Sequence, residues 1–113
     1  MTFSLKDIDA LINERKLASS DASYVAQLHQ KGIDKILEKI GEEATETIIA
    51  AKNYHLKNNS ENQSALIGEV ADLWFHTMVM LSHVGLNHCD IIDELERRFG
   101  RSGLDEKASR SKT

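Results

Sequence analysis

Apolar residues recur at spacings of three and four along most of this chain, the period of a helix with one buried face. Leu5, Ile8, Leu11 and Ile12 form the first such stripe and predict a helix over 5–17. Ser4 with Asp7 resembles a capping box at its start. A polar connection, 18–21, follows, in which Ser20 or Asp21 can cap a short second helix running to about Gln30. Tyr24, Val25 and Leu28 are its expected inner side, and Gly32 supplies a left-handed stop. A third helix is predicted over 33–55, with Ile33, Ile36, Leu37, Ile40, Ala44, Ile48 and Ala51 on one side. Residues 57–62 read as a turn. The fourth helix, 64–84, is apolar around most of its circumference and is expected to be buried on most sides. Asn87 caps a fifth helix over 88–99, with Ile91, Ile92, Leu95 and Phe99 turned inward. No alternation long enough for a sheet interrupts the series, so the expected fold is all-α, a bundle of about five helices in one domain over 1–113.

The polar positions that break these stripes carry the chemistry. Glu42, Glu43 and Glu46 fall on the third helix, and Glu69 and Asp72 on the fourth. Side chains three or four apart share a helix face, so each helix presents a carboxylate pair, Glu43 with Glu46 and Glu69 with Asp72. Glu43, Glu46 and Lys39 lie on the shoulder of the third helix, while Glu42 points almost opposite its apolar stripe. The fourth helix has only a narrow polar stripe, made of Glu69, Asp72, His76 and His83. Carboxylates in such a setting are costly unless paired or bound to metal. An all-oxygen donor set suits a hard cation, Mg2+ or Mn2+. Such an ion works on substrate phosphates, neutralising their charge and orienting an attacking water. His76 admits two readings, metal ligand or hydrogen-bonded packing residue. Gly41, just before the acids, admits two as well: close approach of a ligand or helix, or ordinary tight packing.

Composition narrows the class without changing it. The 113 residues are 41% hydrophobic and 28% charged and contain no proline, which fits long uninterrupted helices. The single cysteine, Cys89, excludes an internal disulfide framework and fits a reducing compartment. There is no secretory signal and no membrane span, so the expected location is the cytoplasm. The net charge of −4 is uneven: residues 1–96 carry −8 and residues 97–113 carry +4. The acidic body argues against nucleic acid as a partner. The basic tail, about 104–113, is either a solvated terminus or a binder of phosphates. Gly100-Arg101-Ser102-Gly103 can cradle a phosphate, and Arg98, Lys107 and Arg110 stand near it in sequence. Lys39 and Lys35 can add positive charge beside the acids.

Several segments together resemble the phosphoribosyl-ATP pyrophosphohydrolase family. They are Ser23-Tyr24-Val25-Ala26-Gln27-Leu28, Lys39-Ile40-Gly41-Glu42-Glu43-Ala44-Thr45-Glu46, Glu69-Val70-Ala71-Asp72-Leu73, and Arg98-Phe99-Gly100-Arg101-Ser102-Gly103-Leu104 with Glu106, Lys107 and Arg110. The acidic pair of motifs alone is shared by the wider all-α NTP pyrophosphohydrolase, or MazG-like, superfamily. The resemblance implies a dimeric all-α fold and Mg2+-dependent hydrolysis of 1-(5-phosphoribosyl)-ATP to 1-(5-phosphoribosyl)-AMP and pyrophosphate, the second step of histidine biosynthesis. Carried over, the metal ligands are Glu43, Glu46, Glu69 and Asp72, with Glu42 as a further ligand or the base that orients water. No cyclohydrolase domain accompanies these residues, so the following step is expected of another chain. Two competing readings are a house-cleaning pyrophosphatase of non-canonical nucleotides and a non-catalytic helical adaptor holding a structural ion.

Overall fold

The computed structural model describes residues 2–100. It contains five helices: α1 (Leu5–Lys16), α2 (Tyr24–Lys31), α3 (Ile33–Leu56), α4 (Ser60–His83) and α5 (His88–Phe99). The capping box of α1 forms, with the Ser4 amide donating to Asp7 and the Asp7 amide to the Ser4 hydroxyl. The cap of α2 is Ser23, which accepts from the Ala26 amide, rather than Ser20 or Asp21. Ser20 instead offers its carbonyl to the Gln27 side chain. One residue, Gly32, both ends α2 and begins α3. Its φ of 95° with ψ near 180° is backbone that glycine adopts without strain, and it makes the corner between the two helices.

Half of the stretch read as a turn over 57–62 is helix. Asn59 accepts from the Asn62 amide at 2.8 Å and starts α4 at Ser60, four residues ahead of the expected start. The side chain of Asn62 donates back to the Lys57 carbonyl at 2.9 Å, closing a very short connection. That leaves α3 and α4 as a 24-residue antiparallel pair, each about 36 Å long. The pairing is the backbone of the molecule.

The core lies at one end of this pair, where α1 and α2 pack across it. Ile12, Val25, Leu28, Ile36, Met78 and Val79 are its buried members. Burying side chains of this size contributes about 1.5–3 kcal/mol each. The inner face of α3 departs from expectation, first at the exposed Leu37 and more widely beyond Ile40. Its buried residues are Ile36, Glu43 and Ala50, whereas Ile48 is 70% exposed and Ala51 is exposed. The helix is rotated so that a carboxylate, not an isoleucine, meets α4. α4 is likewise not buried on most sides: Ile67 is 64% and Trp74 57% exposed. Ile91, Ile92, Leu95 and Phe99 of α5 are at least partly exposed too, and α5 buries no residue fully. What ties α5 down is polar: both the backbone amide and the ring of His88 bind the Asp9 carboxylate of α1. Each of these apolar stripes is real, but no element among the described residues covers it.

Candidate active site

The register of the α3–α4 pair decides which carboxylates meet. Asn62 reaches the Asn53 carbonyl near the hairpin tip, and the partners run in opposite directions from there. Glu46 consequently meets Glu69, and Glu43 comes level with Asp72. Ligand oxygens of Glu43, Glu69 and Asp72 all lie within 4.8 Å of one another. Glu46 stands beside them, close enough for its charge to act on both Glu43 and Glu69, and it lines the same cleft as Glu69. Four of the five acids expected at the site are therefore brought together. Glu42 is not among them; it is exposed and pairs with Lys39 at 3.1 Å.

Burial is distributed differently from expectation. Glu43, expected on a shoulder, is only 7% exposed, whereas Asp72, expected to be buried, is exposed. The rotation of α3 described above accounts for Glu43. Crowding has a direct electrostatic consequence. Burial pushes the Glu43 carboxyl above the usual range, and the charges of Glu46 and Asp72 push it further. The Glu69 carboxyl rises to about 7, chiefly through its hydrogen bond with Glu46, then through burial and the charges of Glu46, Glu43 and Asp72. Both shifts run the same way: crowded carboxylates disfavour one another's charge, so the cluster favours a proton or a cation among them.

One oxygen of Glu43 and one of Glu69 are buried with no hydrogen-bond partner among the described residues. Unpartnered buried carboxylate oxygens are costly, and a proton, a hydrogen-bond donor or a cation relieves them. Lys39 is the positive charge at hand. It sits 4.0 Å from Glu43, and its hydrogen bond to Glu42 raises its own pKa. One ammonium shared between Glu42 and Glu43 leaves Glu69 and Asp72 without a counter-charge, so the donor set fits a hard cation with oxygen ligands.

His76 is buried, and both its ring nitrogens are engaged. Nδ1 lies 2.8 Å from the Asp72 carbonyl, which can only accept, so Nδ1 carries the proton. Nε2 then accepts from the Tyr24 hydroxyl at 2.9 Å. This is the packing reading of His76, not the ligand reading. It also brings Tyr24, whose side chain is partly exposed, to the edge of the site. The sequence held no signal for this contact, which joins residues 52 positions apart. A Cβ on Gly41 would meet nothing within 4 Å, so tight packing does not account for that glycine. Lys35 pairs with Glu38, and Arg98 pairs with Glu94 on its own helix. Arg101, Ser102, Lys107 and Arg110, with the basic tail at 104–113, lie outside the described residues.

Fold and site together define an all-α protein whose central helical hairpin concentrates carboxylates around a cation-sized gap. Residues 5–99 match the model of a family described as phosphoribosyl-ATP pyrophosphohydrolase. The chain is also 55% identical over 108 residues to the phosphoribosyl-ATP pyrophosphatase of Hydrogenovibrio crunogenus, an alignment that covers 96% of this chain and 93% of the relative. The chain belongs to the phosphoribosyl-ATP pyrophosphohydrolase family.

Proposed function

We infer that this chain hydrolyses 1-(5-phosphoribosyl)-ATP to 1-(5-phosphoribosyl)-AMP and pyrophosphate, the second step of histidine biosynthesis, with Mg2+ as the working ion and Mn2+ as a substitute. The observation that carries this reading is the pair of buried, unpartnered oxygens on Glu43 and Glu69, set among acids of the facing helices. Glu43, Glu46, Glu69 and Asp72 would hold the ion, which when bound supplies charge neutralisation to the polyphosphate and a polarised water. Glu42, exposed and paired with Lys39, is adjacent to that group in sequence and is proposed to orient water or to complete the ligand set. Lys39 meets phosphate oxygens from the flank. Arg98, Arg101, Ser102, Lys107 and Arg110 are proposed to add phosphate contacts from the C-terminal side of the single domain. Family membership favours this substrate over a house-cleaning role or a non-catalytic adaptor.

The active form is proposed to be a cytoplasmic homodimer that binds neither nucleic acid nor membrane. No helix among the described residues is long and apolar enough to cross a membrane. The Cα radius of gyration is 17.2 Å, against about 13 Å for a compact chain of this size. Ile48, Ile49, Ile67 and Trp74 are exposed on the long hairpin, and a second copy covers them most economically. The test of the reaction is incubation of purified protein with phosphoribosyl-ATP and Mg2+. Release of pyrophosphate, lost on chelation, is the expected result; no pyrophosphate at any metal concentration would overturn the assignment.

A further inference from the structure

Beyond Glu46 and Glu69, toward the hairpin tip, the acidic site opens into a cleft of about 250 Å³. Those two acids line it together with Asn53, Asn62, Ala50 and Ala65. The alanines, one from each long helix, leave room that larger side chains would fill. Asn62 is already spent, donating to the carbonyls of Lys57 and Asn53. Asn53 is different. Its carbonyl is held from two sides, by the Lys57 amide at 2.9 Å and by the Asn62 side chain, which fixes where the residue stands. Its own carboxamide has no hydrogen-bond partner among the described residues. A free donor–acceptor pair on a pinned backbone, beside a carboxylate cluster, is suited to reading a flat polar ligand.

Spacing along α3 supports the same point. Asn53 lies seven residues past Glu46, roughly 10 Å along the helix axis. That is comparable to the reach of a nucleotide from its α-phosphate to the far edge of its base. Lys39 lies four residues before Glu43, roughly 6 Å in the opposite direction, where the outer phosphates would fall. We propose that Asn53 reads the adenine of the substrate, with the nucleoside lying toward the hairpin tip and the outer phosphates toward Lys39. This rests on the reaction inferred above. A carboxamide matches the N6 and N7 positions of adenine, one accepting from N6–H and the other donating to N7. In 1-(5-phosphoribosyl)-ATP the N1 position carries the second ribose, so the N6/N7 edge is the one left to recognise.

The test compares binding of AMP and IMP, which differ at position 6, by calorimetry with Mg2+ present. Turnover is not the readout, so an inactive protein would sink the reaction without deciding this point. Wild type is expected to bind AMP about tenfold more tightly than IMP. Asn53→Ala and Asn53→Leu should abolish that preference while leaving Mn2+ binding and the melting temperature unchanged. Asn53 is an exposed helical position, so both variants are expected to fold. Equal binding of AMP and IMP by wild type, no binding of AMP at millimolar concentration, or a preference that survives in both variants would each overturn the proposal.

Discussion

Glu43 and Glu69 show what crowding and burial cost a carboxylate. Each has an oxygen closed off from donors, and both have raised pKa values. Replacing either with glutamine should lower kcat/KM by at least about 100-fold, equivalent to roughly 2.7 kcal/mol of transition-state stabilisation. The same variants, metal-free, should melt no lower than wild type, because the substitution removes repulsion along with the ligand. A steady-state assay and a thermal melt on the same preparations check both halves. pH dependence follows from Glu69. Its carboxyl is raised from 4.5 to about 7 in the folded chain, so folding favours the protonated form. The resulting stabilisation is full below about pH 4.5 and is lost as pH rises through 7. Metal-free protein should therefore lose stability from this group across that window, measured as melting temperature against pH. Mg2+ competes with those protons, so its apparent affinity should weaken as pH falls below about 7. At a hundred times its dissociation constant the ion should add about 2.7 kcal/mol.

At the scale of the element, helix number, helix type and most ends were legible in the sequence. Three- and four-residue spacing placed α3 and α5 to within a residue, and the Ser4 and Asn87 caps formed where the sequence put them. The early start of α4 was not legible, because a run of polar residues looks like a turn whether or not its first asparagine becomes a cap. The rotation of α3 was hidden for another reason. Periodicity reports an apolar face, but not which of two neighbouring faces meets the partner helix. With Ile48 and Ile49 both apolar, the buried side was set by the residues of α4 opposite. That Glu43, Glu69 and Asp72 converge was legible, because two acids at helical spacing on each of two adjacent helices can meet in few ways. The Tyr24–His76 bond and the Asn53 cleft were not, since both arise from tertiary register. The joints between elements can be probed singly. Gly32→Ala forces a side chain into backbone nearly reserved for glycine, and should cost about 1–3 kcal/mol in urea unfolding. Asn59→Ala removes the cap of α4 and should cost about 1 kcal/mol by the same measurement.

Across the whole molecule, the buried core occupies one end of a long hairpin, and much of the remaining apolar surface faces outward. The homodimer proposed above would cover that surface. Trp74→Glu places a charge in the middle of the exposed stripe and should shift the assembly from dimer to monomer in sedimentation velocity. The residues that form the acidic site come from one chain, so the monomeric variant should still bind Mn2+, though more weakly if the partner stiffens the hairpin.

The antiparallel pairing of α3 with α4 carries one more consequence. Opposed carboxylates meet only because 22 residues separate Glu46 from Glu69. Adding a single residue inside either rod would swing one set of acids by about 100° and aim it elsewhere. That interval therefore acts as a ruler: single-residue insertions in the helical stretch between either motif and the connection should misalign the acids, while changes in the connection itself, before the first motif or after the second need only preserve packing. Searching genomes for two acidic motifs held at that interval should find sites of this construction even where every intervening side chain has drifted.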